Sequence, residues 1–134
     1  MRILVVDDEP EARELLKYML LGNKKVTVVG TAGHVDEAMK MMNTERPHLV
    51  LLDIQMPEKD GFQFIEQIQN SDFDPGIIFV SAYEHYAIQA IRNSIFDYIL
   101  KPVHQEELDD AIERFLKQGR AAHDQNLNKL LEEL

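Results

Sequence analysis

Four runs in this chain are too short to be buried helices and too uniformly apolar to be half-exposed strands. They are Ile-Leu-Val-Val at 3–6, Leu-Val-Leu-Leu at 49–52, Ile-Ile-Phe-Val at 77–80 and Tyr-Ile-Leu at 98–100. A strand apolar on both faces belongs to a sheet covered on both sides, and such sheets are mostly parallel. A fifth strand is expected at 25–30. The segments between the strands carry helical periodicity. Residues 9–21 place Ala12, Leu15, Leu16 and Met19 on one face, and residues 35–43 do the same with Ala38, Met39 and Met42. Further helices are expected at 62–70, at 83–93 with Tyr86, Ala87, Ala90 and Ile91, and from Val103 or His104 to about Gln118 with Leu108, Ile112 and Phe115 inward. Pro10 suits a first helical turn, Asp8 is a candidate cap, and Gly22-Asn23 can end the first helix. Five strands alternating with five helices predict an α/β fold with right-handed crossovers.

Each of the four apolar runs delivers a polar group to the same sheet edge. Asp7 and Asp8 follow the first, Asp53 the second, Ser81 the third and Lys101 the fourth. Open α/β sheets bind ligands at the carboxyl ends of their strands. Three carboxylates, a hydroxyl and an ammonium gathered there describe a magnesium and phosphoryl site. Like charges in one cleft repel unless a cation is present. Magnesium takes oxygen ligands and keeps several waters. Asp8 and Asp53 are the better direct ligands, with Asp7 acting through water. Asp53 is the candidate nucleophile, because a carboxylate can accept a phosphoryl group. The transferring group spreads charge over three oxygens, which magnesium, Lys101 and Ser81 would share. Taken singly, Asp7-Asp8 could be a helix cap and Ser81 a turn former; their joint placement is what points to chemistry.

Bulk properties agree with one soluble domain. The chain has 134 residues, 45% of them hydrophobic, and a formal charge of -10. That balance argues against direct nucleic-acid binding, since phosphate backbones need Lys and Arg. There is no cysteine, no signal-like leader and no segment able to span a bilayer, so a cytoplasmic setting is expected. Residues 1–118 read as the domain. Residues 119–134 are polar until Leu127 and then carry Leu127, Leu130, Leu131 and Leu134 at helical spacing, which suits a linker, a helical extension or a dimer seam.

The segments Val5-Val6-Asp7-Asp8-Glu9-Pro10, Leu52-Asp53-Ile54-Gln55-Met56-Pro57, Asp60-Gly61, Ser81-Ala82 and Tyr98-Ile99-Leu100-Lys101-Pro102 resemble the receiver domain of two-component response regulators. Residues 81–87 and Phe96-Asp97-Tyr98 look most like its LytR/AlgR type. The resemblance implies a flavodoxin-like sheet of strand order 2-1-3-4-5, with the first and third strands adjacent. It implies that Asp53 accepts phosphate from a sensor histidine kinase, and that Asp8, Asp53 and the Gln55 backbone carbonyl hold Mg2+. It also implies a cis Lys101-Pro102 bond, and a Tyr98 that swings inward when the Ser81 hydroxyl turns toward phosphate. Self-catalysed phosphoryl acceptance and slow self-hydrolysis, not turnover, are expected. Gln55 and Tyr83, each two positions past a site residue, are placed to set the phosphate lifetime.

The switch is expected to alter the face made by the fourth helix, fifth strand and fifth helix, with Ile88, Ile95 and Phe96 as candidate homodimer contacts; Ile91 reads as core. Regulators of this type continue into a DNA-binding domain, which 134 residues would not accommodate, so transcriptional output is expected through a domain beyond this chain. A stand-alone receiver working by protein contacts is the alternative. A haloacid-dehalogenase-like phosphatase also uses aspartyl phosphate but resembles Asp-x-Asp, where this chain has Gln55.

Overall fold

The computed structural model describes residues 1–118. The elements alternate strictly: β1 (Arg2–Val6), α1 (Pro10–Leu20), β2 (Thr27–Ala32), α2 (Val35–Glu45), β3 (Leu49–Leu52), α3 (Gly61–Gln69), β4 (Gly76–Ser81), α4 (Ala87–Arg92), β5 (Asp97–Leu100) and α5 (Gln105–Gln118). The strands form one parallel sheet in the order β2-β1-β3-β4-β5. Strand residues alternate between the two faces, so the sheet buries two separate cores. Leu4, Val6, Val50, Leu52, Ile77 and Phe79 pack with Ala38 and Met42 of α2, Phe64, Ile65 and Ile68 of α3, and Ala90 of α4. Ile3, Val5, Leu49, Leu51, Ile78 and Val80 pack with Leu16 and Leu20 of α1 and with Leu108, Ile112 and Phe115 of α5. Phe64 and Phe79 are fully buried, and each such ring contributes about 1.5–3 kcal/mol by leaving water.

Helix starts are fixed by local chemistry. Asp60 caps α3 with its carboxylate on the Gln63 N–H, 2.9 Å away, while the Gln63 amide oxygen accepts the Asp60 N–H at 2.8 Å. This reciprocal pair satisfies two otherwise orphan donors. His34 caps α2 through Nδ1, and Arg46 ends it in the left-handed conformation at φ 45.

Several expectations need correction. β2 begins and ends two residues later than 25–30, because Asn23 folds residues 23–26 into a turn: its side chain accepts the Lys25 N–H and its carbonyl the Val26 N–H. Asp8 does not cap α1; Glu9 is the N-cap residue, without a side-chain cap, and its N–H goes to the Asp7 carboxylate instead. Leu15 is exposed, and Leu20 takes the inward place beside Leu16. α4 starts at Ala87 rather than at 83. The Tyr83 N–H is taken by the Ser81 hydroxyl and the Tyr83 carbonyl by the Tyr98 hydroxyl, so neither joins a helix. Ile95 and Phe96 are buried in the two cores, as is Ile91 in its helix; of the four apolar residues near α4 only Ile88 is exposed, at 54%. Residues 119–134, where a linker or helical extension is expected, lie outside the described residues.

Candidate functional site

The sheet ladder runs on past the strand ends and fixes the site backbone. Asp7 N–H donates to the Ala32 carbonyl at 3.0 Å, Asp53 N–H to the Val6 carbonyl at 2.9 Å, and Lys101 N–H to the Ser81 carbonyl at 2.8 Å. Three chain segments are thereby locked at one edge with little freedom. Carboxylate oxygens of Asp7, Asp8 and Asp53 all lie within 4.8 Å of one another. Asp7 is 1% exposed and Asp53 9%, while Asp8 stands on the open side.

Lys101 reaches into this cup. Its Nζ donates to Asp7 Oδ2 at 2.8 Å and lies 3.9 Å from Asp53 Oδ2. The Lys101-Pro102 bond is cis. Both Asp7 oxygens are occupied, Oδ1 by the Glu9 N–H at 2.9 Å and Oδ2 by the lysine. Asp53 Oδ1 accepts the Ile54 N–H at 2.9 Å, which leaves Oδ2 facing the amine. Burial first, and then the negative Asp7, push the Asp53 carboxyl up to about 7, with Lys101 pulling the other way. Burial depresses the Lys101 amine, but its hydrogen bond to Asp7 and the charges of Asp53 and Asp7 outweigh it, so the amine sits above its ordinary value.

Three carboxylates against one amine leave the cup short of positive charge. The donors are all oxygen, which is the chemistry of hard divalent cations such as magnesium. An extra cation would also let Asp53 ionise fully. The residues present therefore fit a magnesium ion.

Ser81 is fully buried at the end of β4, and its Oγ accepts the Tyr83 N–H at 3.1 Å. Tyr98, the second residue of β5, is half-buried and packs its ring edge on Phe79 at 6.0 Å. Its hydroxyl donates to the Tyr83 carbonyl. Burial, ahead of any charge, raises the pKa of its hydroxyl above the usual phenol value. The structure thus brings Asp7, Asp8, Asp53 and Lys101 into one cup, and links Ser81 and Tyr98 through a common partner, Tyr83. The Gln55 side chain points to solvent and donates from Nε2 to the Tyr86 hydroxyl at 2.9 Å.

Some supporting contacts were not legible in the sequence. Arg13 Nη1 donates to the Asp7 carbonyl at 2.6 Å, tying α1 to the turn that carries the carboxylates. A Cβ on Gly33 would stand 3.1 Å from the same Arg13 nitrogen. Lys59 Nζ, in the loop before α3, pairs with Asp36 in the first turn of α2 at 2.8 Å. A Cβ on Gly61 would meet the Asp53 carbonyl oxygen at 2.7 Å and the Phe79 ring at 2.9 Å, so only glycine lets α3 start that close to the site. Asp60-Gly61 stands out in the sequence as a turn, but not as a close approach to Asp53.

Comparison with known proteins gives a consistent answer. Residues 3–113 match the response regulator receiver domain. The chain is 38% identical over 121 residues to the sensory transduction protein LytT of Bacillus cereus, covering 90% of this chain and 49% of that protein. It is 35% identical over 126 residues to the transcriptional regulatory protein BtsR of Escherichia coli, covering 94% and 52%. The chain spans about half the length of the curated relatives it matches. Among solved structures, the response regulatory domain of protein mrkE from Klebsiella pneumoniae superimposes with a TM-score of 0.80 at 25% identity, over 93% of this chain and 99% of that one. The response regulator protein TrrA from Thermotoga maritima, solved in complex with Mg(2+)-BeF, gives a TM-score of 0.74 at 35% identity, over 84% and 96%. Among the described residues no helix is long and apolar enough to cross a membrane.

Proposed function

Because the chain belongs to the response regulator receiver domain family, we propose that Asp53 is its phosphoacceptor and that a sensor histidine kinase is the donor. The observation that carries this is the cup itself: a mostly buried carboxylate with one oxygen held by backbone and the other facing an amine, beside two further carboxylates. In the transfer, Asp53 Oδ2 bonds to phosphorus as the donor's phosphorus–nitrogen bond breaks. The imidazole leaves and takes its proton from solvent. Lys101, already 3.9 Å from Oδ2, neutralises part of the charge carried by the incoming group. Asp7 positions that amine through its 2.8 Å bond.

Asp8, Asp53 and the Gln55 carbonyl are the residues that would hold Mg2+, with Asp7 acting through water because both its oxygens are already engaged. When bound, the ion supplies positive charge to the phosphoryl oxygens. Ser81 holds its hydroxyl on the Tyr83 N–H, and Tyr98 holds its own on the Tyr83 carbonyl. Phosphate on Asp53 offers the hydrogen of the Ser81 hydroxyl a charged acceptor; turning toward it would draw Oγ off the Tyr83 N–H, so the Tyr83 segment is released and Tyr98 is free to move. The α4–β5–α5 face, where Ile88 is exposed, would then pair with a second copy. The relatives named as transcription regulators favour output through DNA over a stand-alone role.

Intact-mass analysis after acetyl phosphate treatment tests this reading. The expected result is a gain of one phosphoryl mass with Mg2+ and none with EDTA. No gain under either condition would overturn it.

A further inference from the structure

The amino-terminal ends of the strands, opposite the cup, hold an open and mainly apolar groove of about 490 Å3. It lies where the two cores meet at that end of the sheet. Met42 and Phe73 belong to the core shared with α2 and α3, and Met1, Phe115 and Leu116 to the core shared with α1 and α5. The Phe115 ring rests on the backbone of Gly76, where a Cβ would stand 2.5 Å from it, and meets the Phe96 ring edge-on at 5.0 Å. On the lip, the Arg46 guanidinium lies 5.0 Å from the centre of the Phe73 ring, and Asp72 is exposed beside it. An apolar hollow rimmed by charge is the form of an interaction site.

Its position points to the occupant. Phe115 and Leu116 lie in the last turn of α5, so the chain leaves that helix at the edge of the groove. Residues 119–134 then bring Leu127, Leu130, Leu131 and Leu134 at helical spacing, with Lys129, Glu132 and Glu133 among them. Such spacing gathers leucines on one face and leaves the charges for a lip where Arg46 and Asp72 offer both signs. The chain from Gln118 to Leu127 spans up to roughly 30 Å when extended, enough for the leucines to return to the groove. A second apolar surface, the α1 stripe of Leu15, Tyr18 and Leu21, is exposed as well. The hollow beside it is lined by Gln105, Asp109 and Glu113 of α5 and not by the last turn.

We propose that the segment carrying Leu127, Leu130, Leu131 and Leu134 docks in the groove formed by Met1, Met42, Phe73, Phe115 and Leu116. Docking turns the chain back after α5 and sets its direction at the end of the sheet away from the cup. The proposal does not depend on the reading of Asp53.

The test uses the full chain with isotope-labelled methionine methyls. Met1 and Met42 line the groove, Met19 lies beside the α1 stripe, and Met56 follows Asp53 in the loop after β3. Replacing all four leucines (Leu127→Ser, Leu130→Ser, Leu131→Ser, Leu134→Ser) is expected to move the Met1 and Met42 resonances and leave Met19 and Met56 in place. Amides of residues 127–134 are expected to exchange roughly 10-fold faster in that variant. Because the chain has no cysteine, Asn128→Cys accepts a single nitroxide. It is expected to broaden Met1 and Met42 more than Met19 within one molecule, and to broaden neither when nitroxide-bearing and isotope-labelled chains are mixed. Unmoved Met1 and Met42 would overturn the proposal. So would movement of Met19 in their place, which would seat the leucines on α1, or broadening that persists in the mixture, which would make the occupant a second copy.

Discussion

Replacing Asp53 with Asn should make the metal-free protein more stable, not less. The Asp53 carboxyl sits at about 7 in the fold against 3.8 for an ordinary aspartate, because burial and Asp7 disfavour its charge. The unfolded chain therefore gives up this proton first as pH rises. Folding carries no penalty from Asp53 below pH 3.8, an increasing one between 3.8 and about 7, and the full penalty above that. At about 1.4 kcal/mol per pH unit the ceiling is roughly 4 kcal/mol. Solvent on the open side of the cup screens part of this, and about 2 kcal/mol is expected to remain. Asparagine keeps the oxygen that accepts the Ile54 N–H and drops the charge. Thermal melts in EDTA at pH 8 should show Asp53→Asn melting roughly 8 °C above the unaltered protein, with the gap closing toward pH 4.5. Adding Mg2+ should raise the unaltered protein more than the variant, because a ligand of the folded state stabilises it by mass action. A variant that melts at or below the unaltered protein at pH 8, or a gain of equal size at both pH values, would refute the electrostatic account of the cup.

Other outcomes follow from the same contacts. Lys101→Met should leave Asp7, 1% exposed, without its amine, costing roughly 2–4 kcal/mol in a denaturant melt at pH 8 and slowing phosphoryl gain from acetyl phosphate. Gly61→Ala should cost about 2 kcal/mol or more and weaken Mg2+ binding by calorimetry, since its Cβ would press on the Asp53 carbonyl. Asp60→Ala removes the capping pair of α3 and should cost about 1 kcal/mol without changing the mass gain on phosphorylation. Tyr98→Ala should abolish any dimerisation induced by beryllofluoride in sedimentation; an unchanged response would remove Tyr98 from the switch.

What the sequence made legible, and what it hid, divides along a physical line. The five strands and the cup were readable because a buried parallel sheet demands uninterrupted apolar runs and puts the next residue at a common edge. Asp7, Asp53 and Lys101 needed only that rule. The start of α4 was not readable, because residues 83–86 have helical spacing, yet Ser81 and Tyr98 remove the Tyr83 backbone groups from any helix. Ile95 and Phe96 looked available for a partner, but the turn after α4 folds both inward. Leu15 is exposed while Leu20, four residues past Leu16, is buried, so the covered row of α1 is the one through Leu16 and Leu20. Arg13 gave no signal, since it acts through one long side chain that crosses to the Asp7 carbonyl.

Capture of phosphorus by the Asp53 carboxylate can be read residue by residue. Treatment with acetyl phosphate and Mg2+, followed by borohydride reduction and peptide mass analysis, reads that directly, because reduction converts an aspartyl phosphate to homoserine. Homoserine is expected at position 53 and at no other aspartate, and none is expected when Asp53 is replaced by Asn. Homoserine at Asp7 or Asp8, or an unaltered Asp53 in protein that has gained the phosphoryl mass, would contradict it.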